Sequence, residues 1–420
     1  MKHPFILPLA FAALVTPAFS QAPAGFEQGV VINASSLLPA EILRGPSYRV
    51  RDQVATDGYM AHFEIDSDFG AFDAIGVPQA LQRIREVEAI RTLVETSKGD
   101  LFAEGLKRSI EQPIDAVRNI VTNPVEAVKQ APKTVGHFFG SIGSAIGRGV
   151  EKAKDRSSGD GPEPTAGEVS RSIGETAKNV AGFDKARLAT AKQLGVDPYS
   201  DNARLQEEMD KVTWAFFAGG LPLRVGAAVA SAGVAVAATN MVGLPEETYA
   251  LTRGELETRD GRSLAAMEVT DEDIRTFQLN RALSTTRRHL IVTSLEALPT
   301  ARGRGRLVQQ ANACTSPAEA DFLIAALSIL EERQRSGATD YVSLEVLGRL
   351  PGAINATGEL EIPAPVDHVT WTPEVAAFAN RSDLGAAPKV LVHTGRLSPA
   401  ANAGLRAAGW MEIAVPQRTR

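Results

Sequence analysis

The sequence contains a single cysteine, Cys314, among its 420 residues. An intrachain disulfide is therefore excluded, and the folded chain must be held together by packing alone. A lone cysteine with no histidine near it in sequence is typical of a small buried apolar residue rather than a reactive thiol.

The sequence also lacks recognisable catalytic and cofactor motifs. It contains no G-x-S-x-G, Walker, HExxH, CxxC or dinucleotide-binding pattern, and it predicts no cofactor. The formal net charge of −6 argues against a nucleic-acid partner, because such proteins concentrate positive charge. With 44% hydrophobic and 22% charged residues, the chain is otherwise typical of globular proteins and long enough for two or three domains.

The first twenty residues, MKHPFILPLAFAALVTPAFS, have the composition of an export signal. Lys2 precedes a short apolar run, and the small residues Ala18 and Ser20 precede the polar Gln21. This pattern predicts a cleavable signal peptide over residues 1–20, and the apolar run is too short to span a bilayer. We therefore expect a secreted or periplasmic protein that is soluble or peripheral to a membrane.

One helical phrase occurs twice. Gln112-Pro-Ile-Asp-Ala-Val-Arg118 is followed eleven residues later by Asn123-Pro-Val-Glu-Ala-Val-Lys129. Proline suits the first position of a helix, and an eleven-residue period keeps the apolar faces of successive short helices aligned. The predicted surface for a membrane or a partner protein comprises Ile114, Val117, Val121, Val125, Val128, Phe138, Phe139, Ile142 and Ile146.

Two interpretations of residues 106–150 are open. The apolar stripe can lie on a membrane surface or a partner, or it can pack on the protein's own core. A similar choice applies to the uncharged, Ala/Gly-rich segment 225–242, which fits either a buried helix or a marginal membrane span.

The composition divides the chain into segments of different character, and the predicted fold class is α+β, predominantly helical. The predicted layout is the signal 1–20, a small β-rich α+β unit 21–105, proline-punctuated amphipathic helices 106–154, a flexible linker 155–167, a helical region 168–338 and a C-terminal α/β unit 339–420.

Periodicity and capping residues predict the individual elements. Strands are expected at 48–54, 59–66, 341–350, 359–370, 389–393 and 410–415, and helices at 78–94, 203–216, 246–258, 271–297, 317–335 and 398–408. Residues Ser316-Pro-Ala-Glu319 form the clearest start signal, a capping box with proline at the first helical position.

Candidate site residues are few. Asp367 and His368, together with His393 at the end of a predicted strand, form a candidate catalytic group. Asp66 and Asp68 are weak candidates for Ca²⁺, and Arg302-Gly-Arg-Gly-Arg306 is either an anion site or a solvated loop. No other metal site is predicted.

These observations predict an exported, non-enzymatic envelope protein whose segment 106–150 associates with a membrane surface or a partner protein. The alternative is a soluble, hydrolase-like periplasmic enzyme with its site in the C-terminal unit near His368 and His393.

Overall fold

The computed structural model describes residues 25–111, 182–221, 243–385 and 387–417. The predicted signal, the repeat, the linker 155–167 and the Ala/Gly-rich segment 225–242 lie outside these residues. All nine residues of the predicted membrane or partner surface, from Ile114 to Ile146, lie outside them as well. Those predictions stay predictions.

The N-terminal unit is an antiparallel sheet covered by one helix. Its strands are β1 (Val31–Asn33), β2 (Arg44–Gly45), β3 (Tyr48–Val50), β4 (Gln53–Thr56), β5 (Ala61–Ser67) and β6 (Gly70–Ile75), and its helix is α1 (Val77–Thr96). β5 is central, with β6 along one edge and β4 and β3 sharing the other. Its alternation is clear, since Ala61, Phe63 and Ile65 are buried and the residues between them are exposed.

Helix α1 connects two cores. Leu81, Ile84 and Val87 pack under the sheet. Its later residues, including Ile90 and Leu93, instead pack against helices further along the chain. The N-terminal unit is therefore continuous in its packing with the helical region.

The middle of the chain is helical. Its helices are α2 (Asp100–Glu111), α3 (182–194), α4 (Ala203–Ala218), α5 (Glu246–Ala250), α6 (Arg253–Ala266), α7 (Asp271–Leu279), α8 (Thr285–Glu296), α9 (Arg304–Asn312) and α10 (Pro317–Arg335). Polar side chains cap several starts; Asn202, Thr270 and Ser284 each accept a hydrogen bond from a backbone N–H in the first turn.

Two predicted helices were too long. The predicted helix 246–258 is interrupted after α5, because Thr252 starts α6 and its backbone N–H donates to the Glu255 carboxylate at 2.8 Å. The predicted helix 271–297 is interrupted between α7 and α8, where Ser284 caps a new helix. In both places a new helix begins inside a segment whose apolar periodicity continues without a break.

Helix α10 has its predicted bounds. Ser316 Oγ accepts from the Glu319 N–H at 3.3 Å, as the capping box requires. The reciprocal bond is displaced by one residue, since the Glu319 carboxylate accepts from the Thr315 N–H at 2.8 Å. The helix is thus closed at its start by two neighbouring residues.

The C-terminal unit is a mixed sheet with two short helices. Its strands are β7 (Tyr341–Leu347), β8 (Leu350–Asn355), β9 (Leu360–Ala364), β10 (His368–Val369), β11 (Lys389–His393), β12 (Arg396–Leu397) and β13 (Trp410–Ala414), with helices α11 (Pro373–Ala379) and α12 (Pro399–Ala407). The main sheet has the order β13-β11-β9-β8-β7, in which β13, β11 and β9 are parallel. α10 packs against β8 and β9.

The predicted strands 341–350 and 359–370 were also too long. The first is a hairpin, because Gly348 has φ of +72° and Leu347 pairs with Leu350 across the turn. The second ends at Ala364, after which β10 joins β12 in a separate two-stranded sheet. The predicted β-α-β arrangement over 389–415 is present as β11, α12 and β13, and the α+β class is confirmed.

The N-terminal and C-terminal units are joined by specific hydrogen bonds. The Glu27 N–H donates to the Trp371 carbonyl at 2.9 Å, and the Glu27 carboxylate accepts from the Trp371 N–H at 2.6 Å and from the Ser398 hydroxyl. The Asp367 N–H donates to the Tyr59 carbonyl at 2.9 Å. Residues from the two ends of the described chain therefore form one junction.

Among the described helices, none combines the length and the apolar content that crossing a bilayer requires.

Candidate functional site

A cleft of about 1450 Å³ lies where the N-terminal unit, the helical region and the C-terminal unit meet. Small-molecule sites usually measure about 300–1,000 Å³, so this cleft has room for a large ligand. Its walls come from α1, from the loop 195–201, from α10 and from the edge of the C-terminal sheet.

Much of the cleft lining is apolar, although Glu319 and Asp321 of α10 line it as well. Helix α10 contributes Ala318, Phe322, Ala325 and Ser328, which share a face because they are spaced by three or four residues. The C-terminal unit adds apolar side chains opposite this face, including Ile362, Val366, Val369, Phe378 and Leu391. These apolar side chains offer a surface for the apolar part of a ligand.

The loop between α3 and α4 forms a polar part of the lining. Within this loop, Ser200 and Asn202 donate hydrogen bonds to the buried carboxylate of Glu86 on α1, the second from Nδ2 at 2.9 Å. Glu86 also accepts from Gln82 Nε2 at 2.9 Å and from Arg83 Nη1 at 2.7 Å. The loop is thereby fixed to α1.

A chain of ion pairs continues from this point across the cleft wall. Arg83 Nη2 donates to Asp201 Oδ1 at 2.6 Å, and Arg287 Nη2 donates to Asp201 Oδ2 at 2.9 Å. Arg287 also binds Asp321 of α10 with both donors of its fork, at 2.6 and 3.0 Å. Burial opposes the charge of Arg287, but the hydrogen bonds and charges of Asp321 and Asp201 outweigh it and raise its pKa. The arginines and aspartates of this chain of ion pairs therefore satisfy one another's charges.

Asp197 has a different environment. Its Oδ1 accepts from the Tyr199 N–H at 2.8 Å and from the Thr286 hydroxyl, while its Oδ2 has no hydrogen-bond partner among the described residues. Burial raises the pKa of Asp197 to about 6, against the opposing effect of these hydrogen bonds. The charge of Arg287 also lowers this pKa, but burial outweighs it, and among the described residues no cation forms a salt bridge with Asp197.

Among the described residues, Arg85 is a cation without a salt bridge, as Asp197 is a carboxylate without one. It lies on the cleft face of α1, one turn beyond Gln82, and forms no salt bridge with any carboxylate that the structure describes. Burial lowers its pKa, and among the described residues the charge of Tyr249 opposes this fall. The pKa of Tyr249 is raised to about 12, mainly by burial and then by the charge of Asp197, while Arg85 opposes the rise. Tyr249 is thus close to both charges.

The two aspartates of the loop should respond oppositely to neutralisation. Asp197 has a raised pKa, so the native state gains stability from its protonation below about pH 6 and loses that contribution as the pH rises. We expect Asp197→Asn to raise the free energy of unfolding at pH 7.5 by up to about 3 kcal/mol, and the gain to vanish near pH 4. Urea unfolding at the two pH values measures the difference.

Asp201→Asn is the matched control. Burial raises the pKa of Asp201, but the charges of Arg83 and Arg287 outweigh it and lower the value, so the carboxylate stabilises the fold above its ordinary pKa. This variant should lose stability at pH 7.5. The interpretation of Asp197 is wrong if both variants lose stability there.

Asp367, His368 and His393 do not line the cleft. The Asp367 carboxylate accepts from the Ala61 N–H at 2.9 Å, from the Val77 N–H at 3.2 Å and from Gln417 Nε2 at 3.0 Å. His393 Nδ1 is 2.8 Å from the Gly395 carbonyl. The hydrogen bonds of the described residues do not connect the two histidines, and Asp367 is occupied by the junction between the N-terminal and C-terminal units.

The metal candidates lack further ligands. Asp66 is paired with Arg51 through two bonds of 3.0 and 3.1 Å, and this hydrogen bonding lowers its pKa. Within the described ranges, no group of three or more His, Cys, Asp or Glu side chains is arranged to hold a metal ion. Asp66 and Asp68 therefore belong to no such group among the described residues.

The structure also describes the two remaining candidates, the segment Arg302–Arg306 and Cys314. The predicted loop Arg302–Arg306 is in part a helix, because Gly303 with φ of +88° precedes Arg304 at the start of α9. Arg306 pairs with Glu345 at 2.7 Å on the rim of the cleft. Cys314 is partly buried at the cleft wall, and burial raises the pKa of its thiol to about 11. An inert thiol agrees with the sequence-based interpretation.

No protein-family model matches the chain, and neither the curated proteins nor the solved structures that were compared with it give a significant match.

Proposed function

We propose that the protein is an exported binding protein that holds an amphipathic small molecule in its central cleft. The apolar part of the ligand would lie between α10 and the C-terminal sheet. Its polar end would lie between α1 and the loop 195–201. The observation that carries the proposal is one large cleft whose lining combines many apolar side chains with a few charged ones.

The apolar wall of the cleft is exposed to water and is covered by no other described part of the chain. An apolar wall of this extent facing water has no stabilising effect of its own, and such surfaces mark binding sites more often than not. Most charged groups around the cleft are paired with one another, as Arg287 is with Asp321. The polar contacts left for a ligand are therefore few and localised, which is the usual composition of a small-molecule site.

The predicted association of residues 106–150 with a membrane surface or a partner protein belongs to the same proposal. Amphipathic molecules partition into membranes, so a segment that binds a membrane surface would bring the cleft close to its ligand. Flotation of the mature chain with liposomes tests that part separately. The alternative of a periplasmic enzyme acting near His368 and His393 stays a prediction, and among the described residues no hydrogen bond links the two histidines.

A cleft-filling substitution tests the binding proposal. We expect the mature chain to bind the neutral apolar fluorophore N-phenyl-1-naphthylamine saturably. Ala325→Trp, which places an indole on the cleft face of α10, should weaken that binding at least about tenfold, since a bulky side chain there removes space for the ligand. Fluorescence titration measures both affinities.

Ala265→Trp is the matched control, because Ala265 is exposed on α6 and does not line the cleft. Its affinity should equal that of the unsubstituted protein. Equal loss in both tryptophan variants, or no saturable binding by the unsubstituted chain, would contradict the proposal.

A further inference from the structure

We infer that the polar end of the ligand is zwitterionic, with an anionic group bound by Arg85 and an ammonium group bound by Asp197. The inference rests on the proposed function and adds the chemical class of the ligand. It follows from which charges of the cleft are already paired and which are not.

Arg85 differs from the other described cations of the cleft wall. Each of the others has a carboxylate partner: Lys192 with Glu246, Arg287 with Asp201 and Asp321, Arg306 with Glu345, and Arg349 with Glu319. Arg85 has no such partner among the described residues and is only partly exposed. A guanidinium withdrawn from water without a counterion favours an anionic ligand group.

Asp197 differs in the same way from the carboxylates around it. The Glu86, Asp201 and Asp321 carboxylates all bind arginine side chains of the ion-pair chain. The other described carboxylate of the cleft without a salt bridge is Glu374, which is exposed at the start of α11. Asp197 has only hydroxyl and N–H donors, on one of its two oxygens. Its second oxygen suits a cationic donor.

The two charges without a salt bridge line the same cleft. Tyr249 lies close enough to feel the charge of each. A purely anionic ligand would pair Arg85 and leave Asp197 uncompensated, and a cationic ligand would do the reverse. A head group with both charges compensates both residues, so it is favoured over either single charge.

The volume of the cleft indicates how large the apolar part of the ligand is. At about 1450 Å³ it exceeds the space that an amino acid or a head group alone would fill. The apolar lining, which includes Phe322, Ile362 and Leu391, accommodates a hydrocarbon chain. We therefore assign the ligand to the single-chain amphiphiles with a zwitterionic head, for which lysophosphatidylethanolamine is the probe.

The test compares head groups on one chain length, by competition with the bound fluorophore and below the micellar concentration. The probes are lysophosphatidylethanolamine, lysophosphatidic acid and an alkylamine, and the peptide Leu-Leu-Leu supplies both charges on a shorter apolar body. The zwitterionic lipid should bind at least about tenfold more tightly than any other probe. Tighter binding of the peptide would overturn the assignment to lipids.

Substitutions at the two charges give the sharper readout. Arg85→Gln should weaken the zwitterion and lysophosphatidic acid about tenfold or more and leave the amine unchanged. Asp197→Asn, which keeps an oxygen for Tyr199 and Thr286, should weaken the zwitterion and the amine and leave lysophosphatidic acid unchanged. Arg406→Gln, at an exposed arginine that pairs with Glu412 and does not line the cleft, should change none of them.

The two proposals fail in different ways. If all probes bind equally and neither substitution matters, the zwitterion inference is overturned and the cleft remains a binding site for apolar molecules. If neither the lipids nor N-phenyl-1-naphthylamine bind saturably, the proposed function is overturned with it.

Discussion

Replacing Arg287 with alanine is expected to lower the free energy of unfolding by roughly 2–4 kcal/mol, somewhat less than the loss of one partner costs in a fully buried pair. The guanidinium is 9% exposed and binds Asp321 with both donors of its fork and Asp201 with one. Its removal leaves Asp321, whose side chain is 33% exposed, with no cation in contact among the described residues, whereas Asp201 retains Arg83. Breaking one side of a buried pair costs more than the pair itself contributes, because the remaining charge is unpaired.

Urea denaturation followed by the fluorescence of the three tryptophans measures this loss. Arg306→Ala is the control, since Arg306 is 61% exposed in its pair with Glu345 and such pairs contribute about 0–1 kcal/mol. The double variant Arg287→Met with Asp321→Leu should recover much of the stability, because an apolar pair leaves no buried charge. A single variant as stable as the control would show that the pair is solvated.

Replacing Asp367 with alanine is expected to lower the free energy of unfolding by roughly 2–5 kcal/mol, because each buried donor left unsatisfied costs about 1–3 kcal/mol. The carboxylate accepts the backbone N–H groups of Ala61 and Val77, which begin β5 and α1, and the side-chain amide of Gln417. Asp367 is 2% exposed, so water does not replace these bonds without local opening.

Hydrogen exchange locates the effect. The amides of Ala61 and Val77 should exchange much faster in the variant, while those of α10 should change only with global stability. Asp383→Ala is the control, since that carboxylate is 63% exposed and pairs with Arg381. Unchanged protection at Ala61 would mean that the junction does not depend on this side chain.

Elements with a local signal were predictable from the sequence. Helix α10 has a capping serine and a proline at its start, and β11 and β13 are short apolar runs separated by a capped helix. The errors occurred where the apolar pattern continues through a break. Thr252 and Ser284 start new helices inside such patterns, and Gly348 reverses the chain inside one. Periodicity reports which face is buried but does not report where the backbone turns.

The cleft had no such local signal. Arg85, Asp197, Tyr249 and Asp321 lie on separate elements, and only the tertiary fold brings them to one wall. A charge is unpaired only if no opposite charge lies near it in the folded protein. The pattern of residue types in the sequence does not contain that information. The nearest sequence signal was the loop after α3, where two aspartates, a serine and an asparagine fall within six residues, from Asp197 to Asn202.

The position of Glu27 affects the order in which the contacts of the fold form. Its carboxylate binds Trp371 and Ser398, which lie 344 and 371 residues further along the chain. Contacts this distant in sequence form slowly, since a long loop must close first. The junction between the N-terminal and C-terminal units is therefore expected to form late in refolding, after the hairpins and helices within each unit.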